Sequence, residues 1–334
     1  MSRLPPGTPV TGEPTVEVHV TPADVRAALE HDTAVGLSAP QKWLPPVWFY
    51  DDRGSELFDR ITRLPEYYPT RAERRLLECH AAEIAARCRA DTLVELGAGT
   101  CDKSRILLDA LRTQGCLERF VPLDVSEATL RWSAAILATS YPGLAVHAVV
   151  GDLHRHLDRM PHGGRRLVAF LGGTIGNLVP EQRRRFLFDL DCQLEAGDSF
   201  LLGADLVKDP ERLVAAYDDA AGVTAAFNRN VLLVLDRELD ATFDPATFEH
   251  VALWDAERSW IEMRLRSTIE QVVHVGALGM DVHFAEGEDL RTEISAKFTA
   301  RDLQRELHDA GFVVDAMWDQ PGGDFLLVLA SPYC

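Results

Sequence analysis

The stretch Leu93-Val94-Glu95-Leu96-Gly97-Ala98-Gly99-Thr100-Cys101-Asp102-Lys103-Ser104 constrains this chain more than any other. Its first four residues are an apolar run carrying one acid, the pattern of a buried parallel strand. Gly97 and Gly99 allow a tight turn in which backbone can approach a ligand closely. Residues 102–111 then carry a helical pattern. Strand, glycine turn and helix form the unit that binds nucleotides in doubly wound sheets, with ligands beyond the carboxyl ends of the strands.

The unit is not a dinucleotide fingerprint, because Asp102 stands where a third glycine would. An acid beside a helix N-terminus also suits phosphate poorly, since that end attracts anions. The loop resembles instead the Glu-x-Gly-x-Gly loop of class I S-adenosylmethionine (SAM) methyltransferases. SAM has no phosphate and carries a sulfonium and an amine, which tolerate nearby acids.

The same rhythm continues with strands at 119–124, 145–152, 167–171 and 200–205, separated by helices that include 127–138 and 182–194. Repeated strand-helix units predict an α/β fold with a parallel, doubly wound sheet. The strand ends carry Glu95 and Gly97, then Asp124, then Asp152, then the loop Gly172-Gly173-Thr174-Ile175-Gly176-Asn177. A carboxylate at Asp124 is placed to accept both hydroxyls of a ribose. Asp152 is placed for an adenine amine, with Leu153 against the ring.

Between 207 and 297 the rhythm breaks into helices at 210–221 and 225–239 and extended segments at 248–254, 260–268 and 272–284. It resumes with a helix at 300–310 and strands at 312–318 and 325–330, the usual ending of a class I methyltransferase sheet. Residues 207–297 therefore read as an insertion that joins 19–70 in a second, substrate-binding domain. Residues 71–206 plus 298–334 form the SAM-binding domain, and 1–18, rich in Pro, Gly and Thr, a loose arm. Thr21 is expected to cap a helix at 23–31, and Thr70 a long helix running to about Arg89.

Composition narrows the partners. A net charge of −18 over 334 residues argues against nucleic acid and anionic membranes. No apolar run is long enough to span a bilayer, and no secretory signal stands at the N-terminus. Six cysteines without a Cys-x-x-Cys pair read as reduced thiols. His154 and His156 lack a nearby third ligand, so no metal is expected. The resulting expectation is a cytoplasmic monomer acting on a small molecule.

From about Phe49 to the C-terminus the chain resembles the histidine Nα-methyltransferase family of ergothioneine biosynthesis. The resemblance rests on Phe49-Tyr50-Asp51-Asp52-Arg53-Gly54-Ser55, Leu64-Pro65-Glu66-Tyr67-Tyr68-Pro69-Thr70, the glycine loop, Leu171-Gly172-Gly173-Thr174-Ile175-Gly176-Asn177 and Leu290-Arg291-Thr292-Glu293-Ile294-Ser295. It implies SAM-dependent trimethylation of the α-amine of L-histidine to hercynine by direct SN2 transfer, without a metal. It further implies that Glu293 and Ser295 hold the imidazole and Met263 lines its pocket. Asn177, Tyr217 and Tyr67 contact the amino-acid backbone, with Gly172 and Thr174 in the same substrate loop. Tyr50 and Tyr67 stand at the reacting amine. Glu95, Gly97, Lys103, Asp124, Asp152 and Leu153 serve SAM.

Physical chemistry permits this assignment, since strand positions two apart share a face. A carboxylate beside a hydroxyl can serve both ring nitrogens. Plainer readings make Glu293 and Ser295 a strand surface, Met263 core filler and the tyrosines loop packing. Either Tyr50 or a water could take the amine proton. Methylation of another amino acid, such as a tryptophan derivative, and SAM binding without turnover remain the alternatives.

Overall fold

The computed structural model describes residues 13–153, 155–320 and 322–333. The N-terminal part contains β1 (Thr15–Val18), α1 (Pro22–Ser38), α2 (Asp52–Ile61) and α3 (Pro69–Cys88). Alternation follows with β2 (Thr92–Leu96), α4 (Ser104–Thr113), β3 (Arg119–Asp124), α5 (Glu127–Ser140), β4 (Ala145–Val150), β5 (Arg166–Phe170), α6 (Pro180–Asp191) and β6 (Ser199–Asp205). Next come α7 (Pro210–Tyr217), α8 (Val223–Leu239), β7 (Phe248–Asp255), β8 (Trp260–Ser267), β9 (Gln271–Val275), β10 (Met280–Phe284) and β11 (Asp289–Ala296). The chain closes with α9 (Ala300–Asp309), β12 (Phe312–Asp319) and β13 (Phe325–Pro332).

Eight strands form one sheet in the order β1-β4-β3-β2-β5-β6-β13-β12. Only β13 runs opposite to the other seven strands. This is the doubly wound sheet the strand-helix rhythm predicts. Every residue of β2, β5 and β6 is buried, which explains their unbroken apolar runs: helices cover both faces. Leu93 shares a core with Leu76, Leu107 and Leu130, whereas Val94 and Leu96 share the opposite one with Phe186, Leu187 and Leu303.

Several expectations need correction. The loose arm of 1–18 is part of the sheet at its end: Thr15–Val18 pairs with β4, Thr15 opposite His147 and Val18 opposite Val150. Residues 1–12 lie outside the described residues, as does His154. The first helix runs on to Ser38 because Leu29, Thr33 and Leu37 continue its buried face. Thr70 is not a cap. The long helix starts at Pro69, whose fixed φ suits the first helical position. Helix α4 starts at Ser104 rather than Asp102, because Cys101 takes a left-handed φ of 57°. The extended segment at 272–284 is a hairpin of β9 and β10. A Cβ on Gly276 would stand 2.7 Å from Asp240 Oδ2, and Gly279 turns through φ +55°, so the chain folds back there.

Strands β7, β8 and β11 form a second, antiparallel sheet. The N-terminal segment is packed into it. Trp43 bridges to Arg291, and the Leu44 N–H donates to the Arg291 carbonyl at 2.9 Å. Asp51 accepts from the Gly54 N–H at 2.7 Å to cap α2. Its carboxylate also accepts from Asn230 Nδ2 at 2.7 Å and Arg237 Nη1 at 2.8 Å, both on α8.

Candidate active site

At the carboxyl end of β2 the chain turns through Gly97 at φ +68° and Gly99 at φ +50°. The Gly99 N–H donates to one carboxylate oxygen of Asp124 at 2.9 Å, and the Ser126 N–H donates to the other at 3.0 Å. Turn and acid therefore fix each other through backbone. Burial pushes the Asp124 carboxyl up, with these bonds pulling against it. Leu153 Cδ1 lies 4.0 Å from where a Gly97 Cβ would stand, so it flanks the turn. Asp152 follows β4 with a partly exposed side chain, and its N–H donates to His156 Nδ1 at 3.0 Å.

Two residues expected at SAM are engaged within the protein. Glu95 is buried and accepts from the Ser104 hydroxyl, bracing strand against helix. Burial raises its carboxyl to about 7. Lys103 is ion-paired with Glu73 of α3. Glu73 also accepts from the Gly172 N–H at 2.8 Å, and a Cβ on Gly203 would overlap it. One buried acid thus ties α3, the glycine turn and the loop after β5 together. Sequence reading missed Glu73, since a lone acid among helix arginines carries no signal.

The loop after β5 leans on β11. A Cβ on Gly176 would meet the Ala296 carbonyl oxygen at 2.8 Å, which brings the Thr174 and Asn177 loop beside the strand of Glu293 and Ser295. The Thr174 hydroxyl is engaged with the Leu171 carbonyl at 3.0 Å.

Met263 on β8 pairs directly with Glu293 on β11. The Glu293 carboxylate has no hydrogen-bond partner among the described residues. Burial raises it to about 7, while the charge on Lys297 pulls it down. A wall of rings stands nearby. Tyr67 lies edge-on to Tyr217 with centroids 6.2 Å apart, and Phe58 lies 6.2 Å from Tyr67. Tyr50 sits 5.5 Å from Phe58 and 5.6 Å from Phe227. Tyr50 is 44% exposed, at the mouth of this wall. Burial, reinforced by the negative charge of Glu293, pushes the phenols of Tyr67 and Tyr217 well above 10, and partial burial with the same charge raises the more exposed Tyr50. All three stay protonated at neutral pH.

Behind the pocket lies a buried polar cluster. Tyr217 Oη donates to Ser295 Oγ at 2.8 Å, and Lys297 Nζ contacts both. Lys297 is also paired with Asp205 at 2.8 Å. Asp205 takes Lys208 and the Tyr68 hydroxyl as further donors. Burial alone would raise the Asp205 carboxyl, but the two lysines outweigh it and hold it below the usual range. Burial lowers Lys208 to about 8. Sequence reading missed Asp205, Lys208, Lys297, Phe58 and Phe227. Two signals existed: Asp205 ends its strand as Asp124 does, and Lys297 continues the alternation of Glu293 and Ser295. Among the described residues no group of three or more His, Cys, Asp or Glu is placed to hold a metal ion. The arrangement offers acceptors and aromatic faces, with Tyr50 within electrostatic reach of Asp124 beside the glycine turn, which suits holding an amine and a polar ring against a second ligand.

A family model described as histidine-specific methyltransferase, SAM-dependent, matches residues 29–332. The histidine N-alpha-methyltransferase of Mycolicibacterium smegmatis is 55% identical over 91% of this chain and 94% of its own length. That of Mycobacterium tuberculosis is 54% identical, covering 91% of this chain and 95% of its own. Ergothioneine biosynthesis protein 1 of Schizosaccharomyces pombe is 29% identical over 68% of this chain and 31% of its own length.

Proposed function

This chain belongs to the histidine-specific, SAM-dependent methyltransferase family, and from that premise we propose that it transfers three methyl groups in succession to the α-amine of free L-histidine. The product is hercynine, and the role is the opening step of ergothioneine biosynthesis. The observation that carries the substrate reading is the unpartnered Glu293 carboxylate, set beside Ser295 and opposite Met263 within the wall of tyrosines.

SAM supplies an electrophilic methyl on a sulfonium. The chain's own part is alignment and exclusion of water. Asp124, already oriented by two backbone N–H groups, accepts from the ribose hydroxyls; Asp152 and Leu153 take the adenine; Gly97 lets the ligand approach. Lys103 and Glu95 act at one remove, bracing the turn through Glu73 and Ser104. Glu293 and Ser295 hold the imidazole, and Asn177, Tyr67 and Tyr217 the amino-acid backbone, with Gly172 and Thr174 shaping that loop. Because Tyr50 and Tyr67 stay protonated, they orient the amine as neutral phenols, and its proton leaves to water at the mouth beside Tyr50. The rings also stabilise an increasingly methylated ammonium by cation–π attraction, worth roughly 0.5–2 kcal/mol, which accommodates the second and third transfers. The proposal includes residues 19–70 plus 207–297 as the substrate domain, and a cytoplasmic monomer whose charge of −18 disfavours polyanionic partners.

Mass spectrometry tests the reading. Purified protein and SAM are incubated with all twenty amino acids. Gain of three methyl groups on histidine alone is the expected result. Methylation of another amino acid would overturn the Glu293 and Ser295 assignment, and absence of methylation with SAM bound would overturn the reaction.

A further inference from the structure

Ser295 Oγ is surrounded by donors. Tyr217 Oη donates to it at 2.8 Å and Lys297 Nζ at 2.9 Å. The Lys297 side chain is fully buried, and its remaining protons go to Tyr217 Oη at 2.8 Å and Asp205 Oδ2 at 2.8 Å. An ammonium has three protons and no lone pair, so Lys297 is fully used and can only donate. A hydroxyl has one proton and two lone pairs. Both lone pairs of Ser295 are therefore occupied, and its proton has no acceptor among the described residues. Glu293, two positions earlier on the same strand, can only accept once it is ionised. Asp205 and Ser295 take two of the Lys297 protons, and no ion pair joins Lys297 to Glu293 among the described residues.

Resting on the reading of Glu293 and Ser295 as the imidazole site, we infer that Lys297 is a positioning residue that fixes Ser295 as a hydrogen-bond donor, so that the pocket selects a ring carrying one N–H and one unprotonated nitrogen. Neutral imidazole meets that demand. An imidazolium presents two N–H groups, and an indole or pyrrole presents one N–H with no ring acceptor. Each would leave the Ser295 proton unpaired in a buried site, at a cost of about 1–3 kcal/mol. Without Lys297 the Ser295 hydroxyl is free to rotate and accept, and the selection is lost.

The test compares kcat/KM for L-histidine with that for the 2- and 3-pyrrolyl alanines, which keep one ring N–H at one or other position and have no ring acceptor. The wild-type protein should favour histidine by about 10- to 100-fold over the better of the two. In Lys297→Met this ratio should fall to within about threefold, while Lys297→Arg, which retains donors, should keep most of it. Ser295→Ala should lower the ratio as far, and adding Lys297→Met to it should change the ratio no further. An equal loss of kcat/KM for all three substrates in Lys297→Met would make Lys297 a structural residue and overturn the inference. If Lys297→Met does not fold, the wild-type ratio and the Lys297→Arg ratio still decide: a wild-type protein that uses a pyrrolyl alanine as well as histidine refutes the polarity. Failure of the wild-type protein to methylate histidine would instead refute the proposed function.

Discussion

On the cofactor side of the candidate site, Asp124 is oriented by two backbone N–H groups within two residues of it or on the adjoining turn. On the substrate side, Ser295 is oriented by the side chains of Tyr217 and Lys297, and Lys297 in turn by Asp205. The first arrangement needs only a strand, a turn and a helix. The second needs β6, α7 and β11 to meet correctly. Backbone fixation confines a substitution's effect to the ligand it touches, whereas a side-chain network spreads it into stability.

The comparison is broken most severely at Asp205. Asp205→Ala leaves Lys208 and Lys297 as unpaired buried cations and should cost about 3–5 kcal/mol, read as a lowered urea midpoint. A midpoint within error of the wild type would mean the network carries no load. Next comes Glu293→Ala, expected to raise the histidine KM by an amount equivalent to about 2–3 kcal/mol, with SAM affinity unaltered by calorimetry. Burial raises the Glu293 carboxyl to about 7, and the ionised carboxylate is the stronger acceptor for a ring N–H. The histidine kcat/KM should therefore rise several-fold as pH increases through that value. Glu293→Gln should lose this inflection, while the titration of histidine itself persists in both proteins. Coincident profiles would sink the acceptor role.

On that cofactor side, Asp124→Ala should weaken SAM binding by about 1.5–2 kcal/mol and lower the urea midpoint by less than Asp205→Ala does, since only the Gly99 and Ser126 N–H groups lose a partner. A large loss of stability there would erase the contrast between the two sides. The smallest effect is expected from Gly99→Ala. Nothing lies within 4 Å of the added Cβ, so only the left-handed φ is penalised, by about 1 kcal/mol. A penalty well above that would show that the turn is held by more than its dihedral.

Legibility in the sequence follows the same division. Asp124 and Asp152 could be placed because each sits at the end of an apolar run, and Gly97 because it follows one. Glu73 could not, because its partners Lys103 and Gly172 come from other parts of the chain. Phe58 and Phe227 read as ordinary helix-face residues until α2 and α8 are packed together. The family resemblance named Glu293, Ser295, Tyr67 and Tyr217, whereas Lys297 was signalled only by continuing the alternation of Glu293 and Ser295. Errors in element ends have local causes, such as the left-handed Cys101 and the close approach at Gly276.

The sequence by itself determined the doubly wound sheet, the acids and glycines at its strand ends, and the family, because apolar periodicity and turn chemistry act over a few residues. Only the tertiary structure decided that β1 joins the sheet, that Glu95 and Lys103 face inward partners, and that Lys297 controls Ser295. Those outcomes depend on contacts between residues distant in sequence, and burial sets both the strength and the direction of each such contact.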